Sequence, residues 1–164
     1  MTATGIGAAV KRREDFRFLK GIGRYTDDIN LPQQTYLYIL RSQVAHAKIN
    51  KIDVSRAKAA RGVVAVFTQA DIDASGPVGG VPCGWLVTGK DNKPMVEPKH
   101  PILATGKVRH VGDPIVGIVA ETYQQAKDAA WLVTLDLTEL PAVVDMKAAL
   151  KGGTLVHDEA ANNQ

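Results

Sequence analysis

Between residues 73 and 106 the chain carries five prolines and six glycines: Pro77, Pro82, Pro94, Pro98 and Pro101, with Gly76, Gly79, Gly80, Gly84, Gly89 and Gly106. Proline removes a backbone donor and fixes φ, and glycine is costly to order, so this density bars a regular helix or strand. The foldable sequence is thereby divided into two parts that must pack across an irregular connection. A connection of this length inside a compact domain is a functional segment or a disordered one. Trp85, Leu86 and Val87 lie within it. Part of it is therefore expected to be pinned by Trp85 against a core or a partner. Walling a passage or interface and forming a variable surface excursion both remain open roles for it.

Before this segment, Thr35–Ser42 reads as a mostly buried strand from its β-branched and aromatic content. A second short strand is expected through Ala47–Ile52. A helix over Arg56–Arg61 follows, with Ser55 as its N-cap and Gly62 as its left-handed stop. Val63–Phe67 reads as a strand buried on both faces, and Thr68 caps a helical turn through Gln69–Ile72. After the segment, Lys107–Val111 and Ile115–Ala120 read as a hairpin turned at Gly112-Asp113-Pro114. Thr122 and Gln125 form a capping box for a helix over Tyr123–Ala130. Val133, Leu135 and Leu137 alternate as a strand, and Asp145 caps a short helix through Leu150.

This order of elements predicts an α+β domain with a mixed β-sheet and packed helices. With aromatics at only 5%, its core must rest on Val, Ile, Leu and Ala. Residues 1–24 read as an extended, basic N-terminal arm, residues 25–152 as the domain, and residues 153–164 as a frayed tail. No signal peptide is visible, and no apolar run approaches the roughly 18 residues of a membrane span. A soluble cytoplasmic protein is the expectation.

Each candidate for chemistry fails on spacing or context. Gly5-Ile-Gly7 and Gly21-Ile-Gly23 begin like dinucleotide fingerprints, but Val10 and Thr26 stand at the third glycine. Neither follows a strong strand or opens a helix, as phosphate binding requires. His46, His100, His110 and His157 show no metal-binding spacing, and His46, between two alanines, reads as a packing residue. The single Cys83 can make no intrachain disulfide, iron–sulfur cluster or thiolate zinc site, and it lacks activating neighbours. Asp27 and Asp28 are adjacent, so in extended backbone they point apart rather than share a proton. The arm mixes Phe16, Phe18 and Tyr25 with basic residues. Net charge is only +3 and no fully basic face exists, so no nucleic-acid partner is expected. The residues alone give an α+β domain with no catalytic, cofactor-binding or metal-binding constellation.

Five ordered strings add a resemblance. Gly21-Ile-Gly23-Arg24-Tyr25-Thr26-Asp27-Asp28-Ile29 resembles the opening signature of the xanthine dehydrogenase / aldehyde oxidase / carbon monoxide dehydrogenase large subunits. Arg41-Ser42 with Ala45-His46-Ala47-Lys48-Ile49 is similar to the next family string. Ile52-Asp53, Ala57 and Gly62-Val63 match the helix and strand after it. Lys107 to Ile115 resembles the family's hairpin, and Leu140-Pro141-Ala142-Val143-Val144-Asp145 its closing string. Pro82-Cys83-Gly84-Trp85 is similar to the bacterial, carbon-monoxide-dehydrogenase-like branch. Two departures, Gln43-Val44 and the missing aromatic before Leu140-Pro141, lie on expected surface positions.

The resemblance runs from about Gly5 to His157 and implies the a/b hammerhead fold. It implies a structural N-terminal portion, or split subunit, of a molybdenum hydroxylase. The family's molybdopterin-binding residues and catalytic glutamate lie far downstream, where a molybdopterin-binding domain is expected beyond residues 153–164. No catalytic or cofactor-binding residue is therefore carried onto this sequence. The complete enzyme would use molybdopterin, in the cytosine dinucleotide form, with [2Fe-2S] clusters and FAD on other domains or subunits. Its expected partners are the molybdopterin-binding portion, an iron–sulfur subunit and an FAD subunit. A stand-alone binding module that kept the fold without the enzyme is the alternative. An apolar surface left uncovered would favour the first reading, and a closed, charged surface the second.

Overall fold

The computed structural model describes residues 5–77 and 80–163. The ends of the expected arm and tail, and positions 78 and 79 of the Pro/Gly segment, lie outside the described residues. The chain divides into two units, Met1–Gln34 and Thr35–Gln164.

The first unit holds a short helix, α1 (Asp15–Leu19), none of whose residues is buried, and a 3-10 turn at Thr26–Asp28. The Asp28 carboxylate accepts the Tyr25 N–H at 2.8 Å, which fixes the start of that turn. The rings of Phe18 and Tyr25 stack with centroids 5.6 Å apart. Arg17 lies over the Phe18 ring and pairs with Glu14 at 2.7 Å.

In the second unit six strands form two antiparallel sheets. The first sheet has β5 (Pro114–Ala120) between β1 (Tyr36–Arg41) and β3 (Val63–Phe67). The second has β2 (Ala47–Asp53) between β4 (Lys107–Val108) and β6 (Thr134–Glu139). The helices are α2 (Ser55–Lys58), α3 (Gln69–Ala74), α4 (Tyr123–Ala130) and α5 (Met146–Ala149). Helix α4 packs on the first sheet, where Tyr123 meets Tyr38 edge to face at 5.9 Å. The core runs through Val66, Val108, Val116, Ile118, Ala126 and Ala129, so small aliphatic side chains carry it as the composition requires.

The α+β class holds, while the strands occupy two antiparallel sheets rather than one mixed sheet. The expected hairpin of residues 107–120 does not form, because β4 pairs with β2 and β5 with β1 and β3. The Gly112-Asp113 turn docks elsewhere: Gly112 N–H donates to the Ser42 carbonyl and Ser42 N–H to the Asp113 carbonyl, both at 2.9 Å. The Asp113 carboxylate accepts the Arg109 N–H at 2.9 Å, which takes that amide out of a ladder and ends β4 after two residues.

Helix α2 begins at Ser55 instead of being capped by it. The Asp53 carboxylate accepts from both the Ser55 amide (3.1 Å) and hydroxyl (2.6 Å). These bonds, with Lys51 beside them, hold the Asp53 pKa at about 2. The helix ends at Lys58 with Ala59 as its C-cap, short of the expected Gly62 stop; Gly62, in the turn before β3, has φ +78, and a Cβ there would collide with the Gln125 amide. Strand β3 is apolar on both sides, but it is not buried on both: Val66 is buried, Val63 and Ala65 are half-buried, and Val64 and Phe67 are exposed. Trp85 does not pin the irregular segment to the core; it is 79% exposed. Turns and one Thr88–Pro94 bridge order that segment instead. The tail is tied rather than frayed: the Asn163 amide donates to the Ala149 and Thr154 carbonyls and accepts the Val156 N–H.

Candidate functional site

The polar side chains that the fold gathers come from four separate stretches. Helix α3 presents Gln69 and Asp73, the end of the irregular segment Lys99 and His100, the chain after β4 Arg109 and His110, and the tail His157 and Glu159. A groove of about 320 Å³ is lined by Gln69, Asp73, Gly80, Lys99, His100, Arg109 and Glu159. A smaller cavity of about 50 Å³ beside it is lined by His100, Arg109, His110, Asp113 and His157. The buried Gln69 anchors this region. Its carbonyl oxygen accepts the Leu103 N–H and its amide donates to Asp73, both at 2.8 Å.

The electrostatics of the cluster bear chiefly on His157. Burial, then the Arg109 cation, hold His157 below the ordinary histidine pKa, with His100 and Lys107 adding to the effect. The Glu159 carboxylate acts on His157 in the opposite direction. Lys107 is engaged by Asp158 at 2.7 Å, and its proton lowers the Asp158 pKa. Arg109 Nε and His157 Nδ1 are buried without a hydrogen-bond partner. Among the described residues no three His, Cys, Asp or Glu side chains gather as metal ligands.

The residues singled out from the sequence disperse over the structure. Gly21 and Gly23 lie between α1 and the 3-10 turn, and neither opens a helix. Asp28 caps the turn, as an isolated carboxylate would. His46 is buried, and its Nδ1–H donates to the Pro141 carbonyl at 2.9 Å while Nε2 is unpartnered. Cys83 is exposed, its amide donating to the Glu97 carboxylate at 3.3 Å, an acidic setting instead of an electropositive one. Sequence spacing gave no signal for the approach of His100, His110 and His157, since they reach it from separate elements.

Among the described residues several large apolar side chains are exposed. Trp131 is 83% exposed, and Leu86, Val111, Val144 and Met146 are also exposed. Among the described residues no helix is long and apolar enough to cross a membrane.

A family model described as the aldehyde oxidase and xanthine dehydrogenase a/b hammerhead domain matches residues 20–141. The nicotine 6-hydroxylase large subunit of Paenarthrobacter nicotinovorans is 38% identical over 163 residues, which cover 99% of this chain and 19% of that protein. The carbon monoxide dehydrogenase large chain of Afipia carboxidovorans is 35% identical over 147 residues, 90% of this chain and 17% of that one. Among solved structures, quinoline 2-oxidoreductase from Pseudomonas putida 86 matches with a TM-score of 0.76 at 36% identity, over 91% of this chain and 18% of its own. A Cu,Mo-CO dehydrogenase matches with a TM-score of 0.72 at 36% identity, over 91% of this chain and 17% of its own. The chain spans about a fifth of the length of the curated relatives it matches.

Proposed function

Because the chain belongs to the aldehyde oxidase and xanthine dehydrogenase a/b hammerhead family, we propose that it serves as the structural N-terminal portion, or a split subunit, of a molybdenum hydroxylase. It packs on the cofactor-bearing domains and is not catalytic alone. The observation that carries this reading is the family match over residues 20–141 in a chain about one fifth as long as its relatives. The uncovered apolar side chains support it, as expected of a piece of a larger body rather than a free-standing module.

On this reading the complete enzyme hydroxylates a carbon centre or oxidises carbon monoxide with water as the oxygen source. It carries molybdopterin in the cytosine dinucleotide form, [2Fe-2S] clusters and FAD, held by the molybdopterin-binding portion, an iron–sulfur subunit and an FAD subunit. The residues of this chain do not fit any of these groups. One cysteine cannot supply the four ligands of a cluster, and the glycine pairs of the arm open no helix toward a phosphate. Catalysis is therefore assigned outside these 164 residues, and the enzyme to the cytoplasm.

The test is purification of the tagged native gene product from its host, followed by mass spectrometry and a visible absorption spectrum. A large-subunit-sized polypeptide, alone or in a complex with iron–sulfur and flavin absorption, is the expected result. A lone hammerhead polypeptide with a colourless spectrum would show the stand-alone module instead.

A further inference from the structure

Arg109 is a half-buried cation that no carboxylate neutralises at close range. Among the described residues its guanidinium makes no ion pair, and its hydrogen bond goes to the Lys107 carbonyl, from Nη1 at 3.3 Å. Its Nε is buried without a hydrogen-bond partner, and so is Nδ1 of His157. A guanidinium stays charged at any working pH, and an unpaired charge taken out of water is costly. Such a cation calls for an anion.

Arg109 and His157 both line the cavity of about 50 Å³, together with Lys99, His100, His110 and Asp113. Two permanent cations, Lys99 and Arg109, thus stand against one carboxylate. That carboxylate is already engaged: Asp113 accepts the Arg109 N–H at 2.9 Å and lies 3.8 Å from His110 Nδ1. The positive field reaches His157, whose pKa is lowered first by burial and then by Arg109, His100 and Lys107, with Glu159 opposing. His100 and His157 also line a second, open hollow of about 300 Å³, whose walls include Val81, Pro82, Met95 and Pro98. The Val81 N–H donates to the His100 carbonyl at 2.8 Å, which holds this apolar wall against the cationic one. The carboxylate of this hollow, Glu97, accepts the Cys83 N–H at 3.3 Å.

We propose that this corner binds a small organic acid, with its carboxylate beside Arg109, Lys99 and His157 and its apolar body on Val81, Pro82 and Met95. The small cavity has room for about one or two water molecules, which suits a flat carboxylate better than a tetrahedral phosphate. A guanidinium reads a carboxylate through parallel N–H bonds. An apolar wall with a few convergent polar groups is the usual make-up of a small-molecule site. The inference does not depend on the chain's being part of a molybdenum enzyme.

Isothermal titration calorimetry on the purified native gene product tests it, with benzoate as the probe and benzamide, acetate and phosphate beside it. Benzoate should bind saturably, one molecule per copy of the chain. Benzamide has the same shape without the charge and acetate lacks the ring, so each should bind at least about tenfold more weakly. Arg109→Gln should weaken benzoate at least about tenfold, and Lys99→Gln, at an exposed position, by about two- to fivefold. Urea midpoints establish that each variant is folded, and if Arg109→Gln is not, Lys99→Gln decides. Absence of saturable benzoate binding overturns the proposal, and so does equal affinity for benzamide. Benzoate binding that is unchanged in the folded variants also overturns it, because the probe is then held elsewhere in the molecule. Phosphate binding tighter than benzoate overturns it in favour of an inorganic oxyanion.

Discussion

The backbone of Ser42 both donates to and accepts from the Gly112-Asp113 turn, and Arg41 Nη1 adds a bond to the Gly112 carbonyl at 2.9 Å. His46 does the same for the closing string: its carbonyl accepts the Leu140 N–H and its ring donates to Pro141. Strings far apart in sequence are thus joined, because their residues bond one another across strand ends. His157 yields a prediction at this scale. Its folded pKa lies below the 6.5 of a free imidazole, chiefly from burial and then from Arg109. The unfolded chain therefore binds a proton first, so stability is greatest above pH 6.5 and falls below it until the folded imidazole protonates. In urea titrations between pH 8 and pH 5 the midpoint should drop more in the parent protein than in His157→Gln. Equal pH dependence in the two would mean that His157 is solvated.

At the scale of elements, burial decides what matters. Ile118 is fully buried at the centre of β5, touching the core beneath α4. Ile118→Ala should cost about 2–5 kcal/mol in urea unfolding, as a cavity in a close-packed core does. Thr138→Ala, on the polar face of the second sheet, should stay within about 0.5 kcal/mol. A cost under about 1 kcal/mol for Ile118→Ala would contradict the observed core. Helix α4 was legible to the residue, because the Thr122–Gln125 capping box and the Tyr123–Ala130 periodicity are local signals that the structure repeats. The division into two sheets was not legible. The sequence around Gly112 and Asp113 specifies a turn, but which strands flank it depends on Ser42, about seventy residues away. The apolarity of β3 on both sides was read correctly, while its expected burial on both faces was not found, since Val64 and Phe67 are exposed.

For the whole molecule, legibility was reversed: the family was readable from ordered strings, and the candidate site was not. The histidines that approach Arg109 do so by tertiary folding, and their setting lowers the His157 pKa, chiefly by burial. Large apolar residues, Trp85 and Trp131 among them, are exposed, which agrees with the proposed place of the domain within a larger enzyme. On the proposed function this hammerhead domain is a non-catalytic part of a molybdenum enzyme. Metal analysis of the tagged native gene product, purified from its host under mild conditions, tests it most directly. About one molybdenum atom per copy of the hammerhead polypeptide is the predicted result. A folded hammerhead polypeptide recovered alone and free of molybdenum would contradict it.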